Sequence, residues 1–413
     1  MKQKSHLISI LICCCIITLA LPQNSLEYNS IIVERTFAAS ERDYWPTEGW
    51  RNSTPEEQGM NSADIEGMID AIVDEDINVH SVMITRHGYI VHEEYLASYH
   101  GVDIKHDLHS VTKSFTSSLM GIAIDKGYVV NVSQPILPFF SDYDIVNVDE
   151  RRERITIANL LTMRSGMFWN ETGSSYLSPE NDVSYILTGD GVNHSLNLDM
   201  VAEPGELWHY NGGASHLLAA IVQSATETSL LDFATENLFD PLGIDDTYWS
   251  RDGSGIWYTG AWGLKLTTRS LAKFGYLFLN NGTWDGQQII SEEWVDVATR
   301  TFTELHSSQG YGYQWWTNPA LDFYYAAGRN GQFIILVPDQ DIVAVFTSGI
   351  YSGNSERPLS LFQEFILQNN DAPDLVALQN IVINSVVIAI LVIPVVIIGY
   401  LRVSTRTRNQ TIT

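Results

Sequence analysis

The sequence predicts an α/β protein of the α+β kind: an antiparallel sheet flanked by helices, built from both ends of the chain, with a helical insertion between them. Three observations predict it. Two runs with strand character, 79–86 and 89–96, come early and meet at His87-Gly88, a dipeptide suited to a tight antiparallel turn. Helical spacing dominates the middle, about 155–242. Short strand-like runs return at 311–316, 332–337 and 342–347, separated by Gly or Pro-Asp turns.

Taken in order, residues 1–22 read as a signal peptide, because Lys2 and Lys4 precede an apolar stretch at 7–21. Cys13, Cys14 and Cys15 all fall inside it, so the mature chain would carry neither a disulfide nor a thiol nucleophile. A polar linker over 23–52 leads to a domain expected at 53–369. Its first helix is signalled by Asn61-Ser62 as cap and by Ile65, Met68, Ile69 and Ile72 at helical spacing. After the hairpin, helical spacing resumes over 110–127, with Phe115, Leu119 and Ile122 on one side and Gly127 as the stop. Stretches at 157–163 and 214–224 are also helical, 270–279 is amphipathic through Leu271, Phe274, Leu277 and Phe278, and 356–367 reads as a closing helix.

Beyond the domain, 381–401 is a nearly unbroken apolar run of about twenty residues, enough for a helix to cross a hydrocarbon core of about 30 Å. Arg402, Arg406 and Arg408 follow, which by the positive-inside rule makes 402–413 a cytoplasmic tail. The expectation is a single-pass cell-membrane protein with its domain extracellular. Sequons at Asn52, Asn131, Asn170, Asn193 and Asn281 would be glycan acceptors in such a protein. The formal net charge of −26, with no Lys/Arg-rich run in the body of the chain, repels phosphate backbones and excludes nucleic acid as a partner.

The sharpest chemical feature is Ser110-Val111-Thr112-Lys113 at the head of a predicted helix. Residues three apart share a helix face, so the Lys113 amine can reach the Ser110 hydroxyl. A hydroxyl needs a neighbouring base to act as nucleophile, and a lysine against apolar surroundings sheds its proton more readily. The Ser110 N–H at a helix start can serve as one oxyanion donor. His106, His109 and His209 adjoin Ser110 or Tyr210 too closely along the chain to face the same way and read as core or loop residues. His92-Glu93-Glu94 lacks the spacing of a helical zinc site, no metal cluster is readable, and no Gly-x-Ser-x-Gly elbow occurs. Trp169, Trp208, Trp257, Trp262, Trp315 and Trp316 suit either a substrate cleft or the core.

The stretch from His109 to Phe115 resembles the nucleophile region of the serine β-lactamase and penicillin-binding superfamily, in its class C-like esterase and nylon-oligomer-hydrolase branch. Further segments match in the same order: Ile155-Thr156-Ile157 running into Leu160-Leu161-Thr162-Met163-Arg164-Ser165-Gly166, then Pro204-Gly205 leading to Tyr210, then Leu266-Thr267-Thr268 with Leu271-Ala272-Lys273-Phe274-Gly275, and finally Gly328-Arg329-Asn330-Gly331-Gln332. The resemblance covers about 53–368 and implies a DD-peptidase/β-lactamase-like fold.

It also implies roles. Tyr210 stands where the family's Tyr-x-Asn motif places the tyrosine that passes the proton to the leaving group, with Gly212 at the Asn position and Asn211, one residue early, as the candidate substrate-binding side chain. Ala326-Ala327-Gly328 stands in place of Lys-Thr-Gly: Gly328 lets substrate lie close to the strand, the Arg329 N–H supplies a second oxyanion donor, and the cation that grips a β-lactam carboxylate is missing at Ala326. The expectation is hydrolysis of a small-molecule ester or amide through an acyl-enzyme on Ser110, with no metal or organic cofactor. The rivals are a catalytically inactive, membrane-anchored binding scaffold and a β-lactamase or D-peptidase.

Overall fold

The computed structural model of the protein describes residues 42–367, apart from 43, 98–99, 147, 172–173 and 246. The expected signal peptide 1–22, most of the linker 23–52, the expected span 381–401 and the tail 402–413 lie outside the described residues.

A nine-stranded sheet forms the backbone of the fold. In chain order its strands are β1 (Arg51–Asn52), β2 (Val79–Arg86), β3 (Tyr89–Tyr95), β4 (Thr303–His306), β5 (Gln309–Tyr311), β6 (Trp316–Asn318), β7 (Phe323–Gly328), β8 (Gln332–Val337) and β9 (Ile342–Ser348). Across the sheet they run β1-β3-β2-β9-β8-β7-β6-β5-β4. Every pairing is antiparallel except that of β1 with β3. The β2–β9 ladder, Arg86 opposite Ile342 through to Val79 opposite Ser348, joins the first part of the chain to the last. The sheet is therefore built from both ends, as the element order predicts.

Alternate residues of the central strands enter two different cores, as the period of two requires. Phe333, Ile335 and Val337 of β8 pack with Ile65, Met68 and Ile72 of α1 (Ser62–Asp74) and with Leu359, Leu361 and Phe362 of the C-terminal helical segment. Ile334 and Leu336 face the larger core, formed with the helical insertion. Both faces of β8 and β9 are covered, so every residue of these strands is buried and nearly all are apolar.

Three helices contribute heavily to the larger core: α2 (Thr112–Asp125), α3 (Gly212–Thr226) and α4 (Thr268–Leu279). Phe115 of α2 stacks on Phe274 of α4, with ring centroids 3.7 Å apart. The expected one-sided apolar stripe of α2 is not what the structure shows: every residue from Thr112 to Ala123 is buried. The expected strand at 311–316 is split, because the chain between β5 and β6 turns through Gln314 at φ 62° and through Gly312, where a Cβ would lie 2.3 Å from the Ala298 carbonyl oxygen.

No helix among the described residues is long and apolar enough to cross a membrane. The longest, α3, has 15 residues, short of the roughly 20 a span needs, and its apolar surface is consumed in the core. That finding corrects the localisation expected from the sequence, a single-pass cell-membrane protein with an extracellular domain, and the membrane as a partner with it.

Phe115 joins α2 to the rest of the core, so truncating it should be costly. Phe115→Ala is expected to lower unfolding free energy by about 3–5 kcal/mol, read as a shift of the urea midpoint. A loss below about 1 kcal/mol would mean that α2 is held mainly by other contacts.

Candidate active site

The chain approaches α2 through a 3-10 turn, His109–Val111, so Ser110 sits in a tighter turn just ahead of the α-helix rather than within it. His109 takes φ 46°, and its N–H donates to Asp107 Oδ1 at 3.2 Å. This turn still leaves Ser110 and Lys113 side by side. Lys113 Nζ donates to Ser110 Oγ at 3.0 Å and to the Ala261 carbonyl at 3.1 Å. Lys113 is only 2% exposed, so its amine is presented to the hydroxyl and shielded from bulk water.

Tyr210 comes from the segment leading into α3. Met163, at φ 57°, shapes the dock for that segment: the His209 N–H donates to the Met163 carbonyl at 2.8 Å, and the Asn211 N–H lies 3.3 Å from Met163 Sδ. The Tyr210 ring centroid stands 4.7 Å from Lys113 Nζ, within cation–π range. Its other neighbours are aromatic: Trp316, near-parallel at 5.9 Å, with Trp208 and Tyr311. The structure thus brings Ser110, Lys113 and Tyr210 together.

Asn211 has a different employment. Its side chain caps α3 by accepting from the Ala214 N–H at 2.8 Å, and its buried amide nitrogen has no hydrogen-bond partner. Gly212 donates its N–H to Glu171 Oε2 at 3.1 Å, and the same oxygen accepts from Trp169 Nε1 at 2.5 Å.

Gly328 ends β7, where a Cβ would fall 2.3 Å from the Leu108 carbonyl oxygen. Only glycine lets the strand end lie this close to the approach to Ser110. The hairpin beyond is pinned by Asn330, at φ 65°, whose carbonyl accepts from Ile350, and by Gln332, whose side chain donates to the Ser348 carbonyl at 2.6 Å. Arg329 lies across the Tyr176 ring at 4.6 Å. Ala326 is fully buried.

Of the remaining expectations, His109 lies beside Asn330 Nδ2 at 3.3 Å, and burial, with Arg329, Lys265 and Lys113 nearby, pushes its imidazole below the ordinary value against the opposing pull of Asp107. His209 Nε2 is bonded to the Trp169 carbonyl. Trp169 and Trp315 belong to the core, whereas Trp208, Trp257, Trp262 and Trp316 are half-buried against it. Sequence reasoning missed three participants. The Ala261 carbonyl is a backbone atom without a side-chain signature. Glu171 was visible only as part of a sequon, and Tyr176 lies in a loop. Burial, and Glu171 after it, raise the Tyr176 phenol above its usual range. The described residues that bring three metal-type donors together, His80, His100 and His106, are separate from the Ser110–Lys113 contact.

Known proteins share this arrangement of elements. A family profile described as Beta-lactamase matches residues 56–362. The 6-aminohexanoate-dimer hydrolase of Paenarthrobacter ureafaciens is 23% identical over 286 residues, covering 64% of this chain and 70% of that protein. Among solved structures, a 6-aminohexanoate-dimer hydrolase homologue from Bacillus anthracis aligns with a TM-score of 0.63 at 22% identity, covering 72% of this chain and 80% of that one. EstCE1, a hydrolase with promiscuous acyltransferase activity, aligns with a TM-score of 0.60 at 16% identity, covering 74% and 98%. At these identities the structural likenesses speak to the fold.

The Gly328 contact generates a test. Gly328→Ala must push β7 away from Leu108, and a displacement near 1 Å beside a reacting centre can cost about 10²-fold in rate. The expected outcome is a folded protein whose hydrolytic rate on a chromogenic ester falls by more than about tenfold. An unchanged rate would show that the strand end does not border the reacting atoms.

Proposed function

The chain belongs to the beta-lactamase family, and from that premise we propose that it is a serine hydrolase whose Ser110 is acylated by a small ester or amide. The observation that carries this reading is the 3.0 Å contact between Lys113 Nζ and Ser110 Oγ, made by a lysine that is almost wholly buried. With its amine unprotonated, Lys113 accepts the Ser110 proton as Oγ attacks the substrate carbonyl carbon. The oxyanion so formed is held by the N–H groups of Ser110 and Arg329, the latter beyond the close strand end at Gly328. Tyr210, beside Lys113, passes the proton to the departing alcohol or amine. Water then attacks the acyl-enzyme by the reverse proton route and frees Ser110.

Substrate class follows from what stands in the third motif. A well-placed cation on a substrate carboxylate is worth roughly 1.5–3 kcal/mol, or about one to two orders of magnitude in binding. Ala326 supplies none and is buried besides. Compact neutral acyl groups therefore fit the proposal better than β-lactams. The names of the relatives, an amino-acid-dimer hydrolase and a hydrolase with acyltransferase activity, are consistent with ester or amide turnover.

The deciding experiment is active-site labelling with a fluorophosphonate, for which wild-type protein should label at Ser110 and Ser110→Ala should not. Absence of label on intact protein would sink the catalytic reading and favour a binding scaffold. Lys113→Met should lower the acylation rate by about 10²- to 10⁴-fold while circular dichroism stays that of wild type. In steady-state assays, short acyl esters should be turned over at least about tenfold faster than penicillins or cephalosporins at equal concentration. Comparable rates would mean that another residue, Arg329 first, grips the carboxylate.

A further inference from the structure

Three histidines scattered along the sequence meet at one end of the sheet. His80 lies on β2, His100 on the loop after β3, and His106 on the short strand His106–Asp107 that precedes the nucleophile turn. The near-parallel rings form a triangle, with His80 and His100 centroids 4.0 Å apart, His100 and His106 4.6 Å apart and His80 and His106 5.9 Å apart. Each residue offers one ring nitrogen such that the three nitrogens lie within 4.8 Å of one another.

We propose that His80, His100 and His106 form a binding site for a divalent first-row transition ion, with Zn²⁺ the ion to test. Imidazole is the donor that suits zinc, copper and nickel, and three such donors leave one coordination position for water. Zn–N bonds of about 2.0–2.1 Å at tetrahedral angles place donor nitrogens about 3.4 Å apart, so the three must close by about 1.4 Å at most. Parallel rings hold their lone pairs in parallel planes, and capture therefore requires the rings to turn. His100, carried by a loop rather than a strand, is the one placed to do so.

A further observation fits a ligand set. His106 Nε2 lies 3.3 Å from Thr347 Oγ1, which is 2.6 Å from Ser81 Oγ, itself 2.7 Å from Thr268 Oγ1. Such an outer hydrogen-bond chain fixes the ring and tautomer of a metal-binding histidine. The ion would tie the loop carrying His100 to the sheet just ahead of Asp107, whose carboxylate receives the His109 N–H.

The test uses the full chain, stripped with a chelator, dialysed, exposed to Zn²⁺ and passed through gel filtration before the retained metal is counted. Wild-type protein is expected to keep one equivalent and to show a raised Tm. His100→Ala should weaken zinc binding by at least about tenfold, the least that disturbing even an outer shell costs. His100→Cys, which restores a zinc donor, should recover it, and His306→Ala, at an exposed histidine elsewhere, should bind as wild type does. X-ray absorption at the zinc edge of the wild-type complex should show three imidazole nitrogens, a readout that does not depend on any variant folding. No retained zinc in the wild type, equal retention by His100→Ala, or fewer than three imidazoles would each overturn the assignment.

Discussion

The enclosure of α2 on every side is the constraint on which the rest of the molecule depends. A buried helix must find internal partners for its polar side chains, because water is not there to supply them. Ser114 donates to the Gln314 carbonyl at 2.8 Å, Thr116 to the Gly260 carbonyl at 2.8 Å, and the Thr112 hydroxyl accepts from the Leu264 N–H at 3.4 Å. The last two bonds fix the segment 260–264, and with it the Ala261 carbonyl that holds Lys113. Gln314 carries the constraint further. Its amide donates to the carbonyls of Leu160 and Leu161 and accepts from Ser215 of α3. Met163, two residues beyond Leu161, is the dock for the segment that presents Tyr210. Satisfying one helix thereby positions three groups that meet at its head.

The same network explains which parts of the site could be read from the sequence. Ser110 and Lys113 are close in the chain, and a spacing of three survives even though the turn around Ser110 is 3-10 rather than α. Tyr210, Gly328 and Arg329 were legible only through an ordered set of segments, since nothing local marks a tyrosine ahead of α3 as different from any buried aromatic. Ala261 and Gln314 were not legible. One contributes a backbone oxygen, and the other is a polar residue between strands whose side-chain partners lie 99 to 154 positions away. His80, His100 and His106 escaped for a related reason, since their meeting depends on strand pairing and a loop path, not on a repeating interval.

The fold was more legible than the packing. Strand-like runs at both ends and helices between them imply a sheet closed by the β2–β9 ladder, and the register bears this out. Helical periodicity was a poorer guide to how the helices are covered. Phe115, Leu119 and Ile122 do face the core, but Thr112, Ser114, Thr116, Ser117 and Ser118 are buried as well. A hydroxyl-rich face looks solvated in sequence. In the structure it is the face on which neighbouring backbone is hung. The membrane reading failed differently, because it rested on a run outside the described residues, whereas the helices that are described spend their apolar surface on one another.

The altered third motif is best understood as a consequence of how closely β7 is drawn in. Gly328 lies against the Leu108 carbonyl, and Ala326, two residues back and on the same side of the strand, is sealed within the larger core. A lysine at that position would bury its ammonium, which costs several kcal/mol unless it is paired. Positive charge is instead carried on the hairpin beyond, where Arg329 lies on Tyr176 at a cost to be met by any ligand that draws it off, about 0.5–2 kcal/mol for a cation–π contact. Glu171 counts against an anionic ligand as well. Its carboxylate is anchored by the Trp169 indole and the Gly212 N–H at the start of α3, so it cannot readily swing away. An arginine already engaged and a fixed carboxylate nearby both disfavour a substrate that enters with its own negative charge. Under the proposed chemistry, selectivity for neutral acyl groups therefore arises from the tight seating of one strand end and the charges left at its rim.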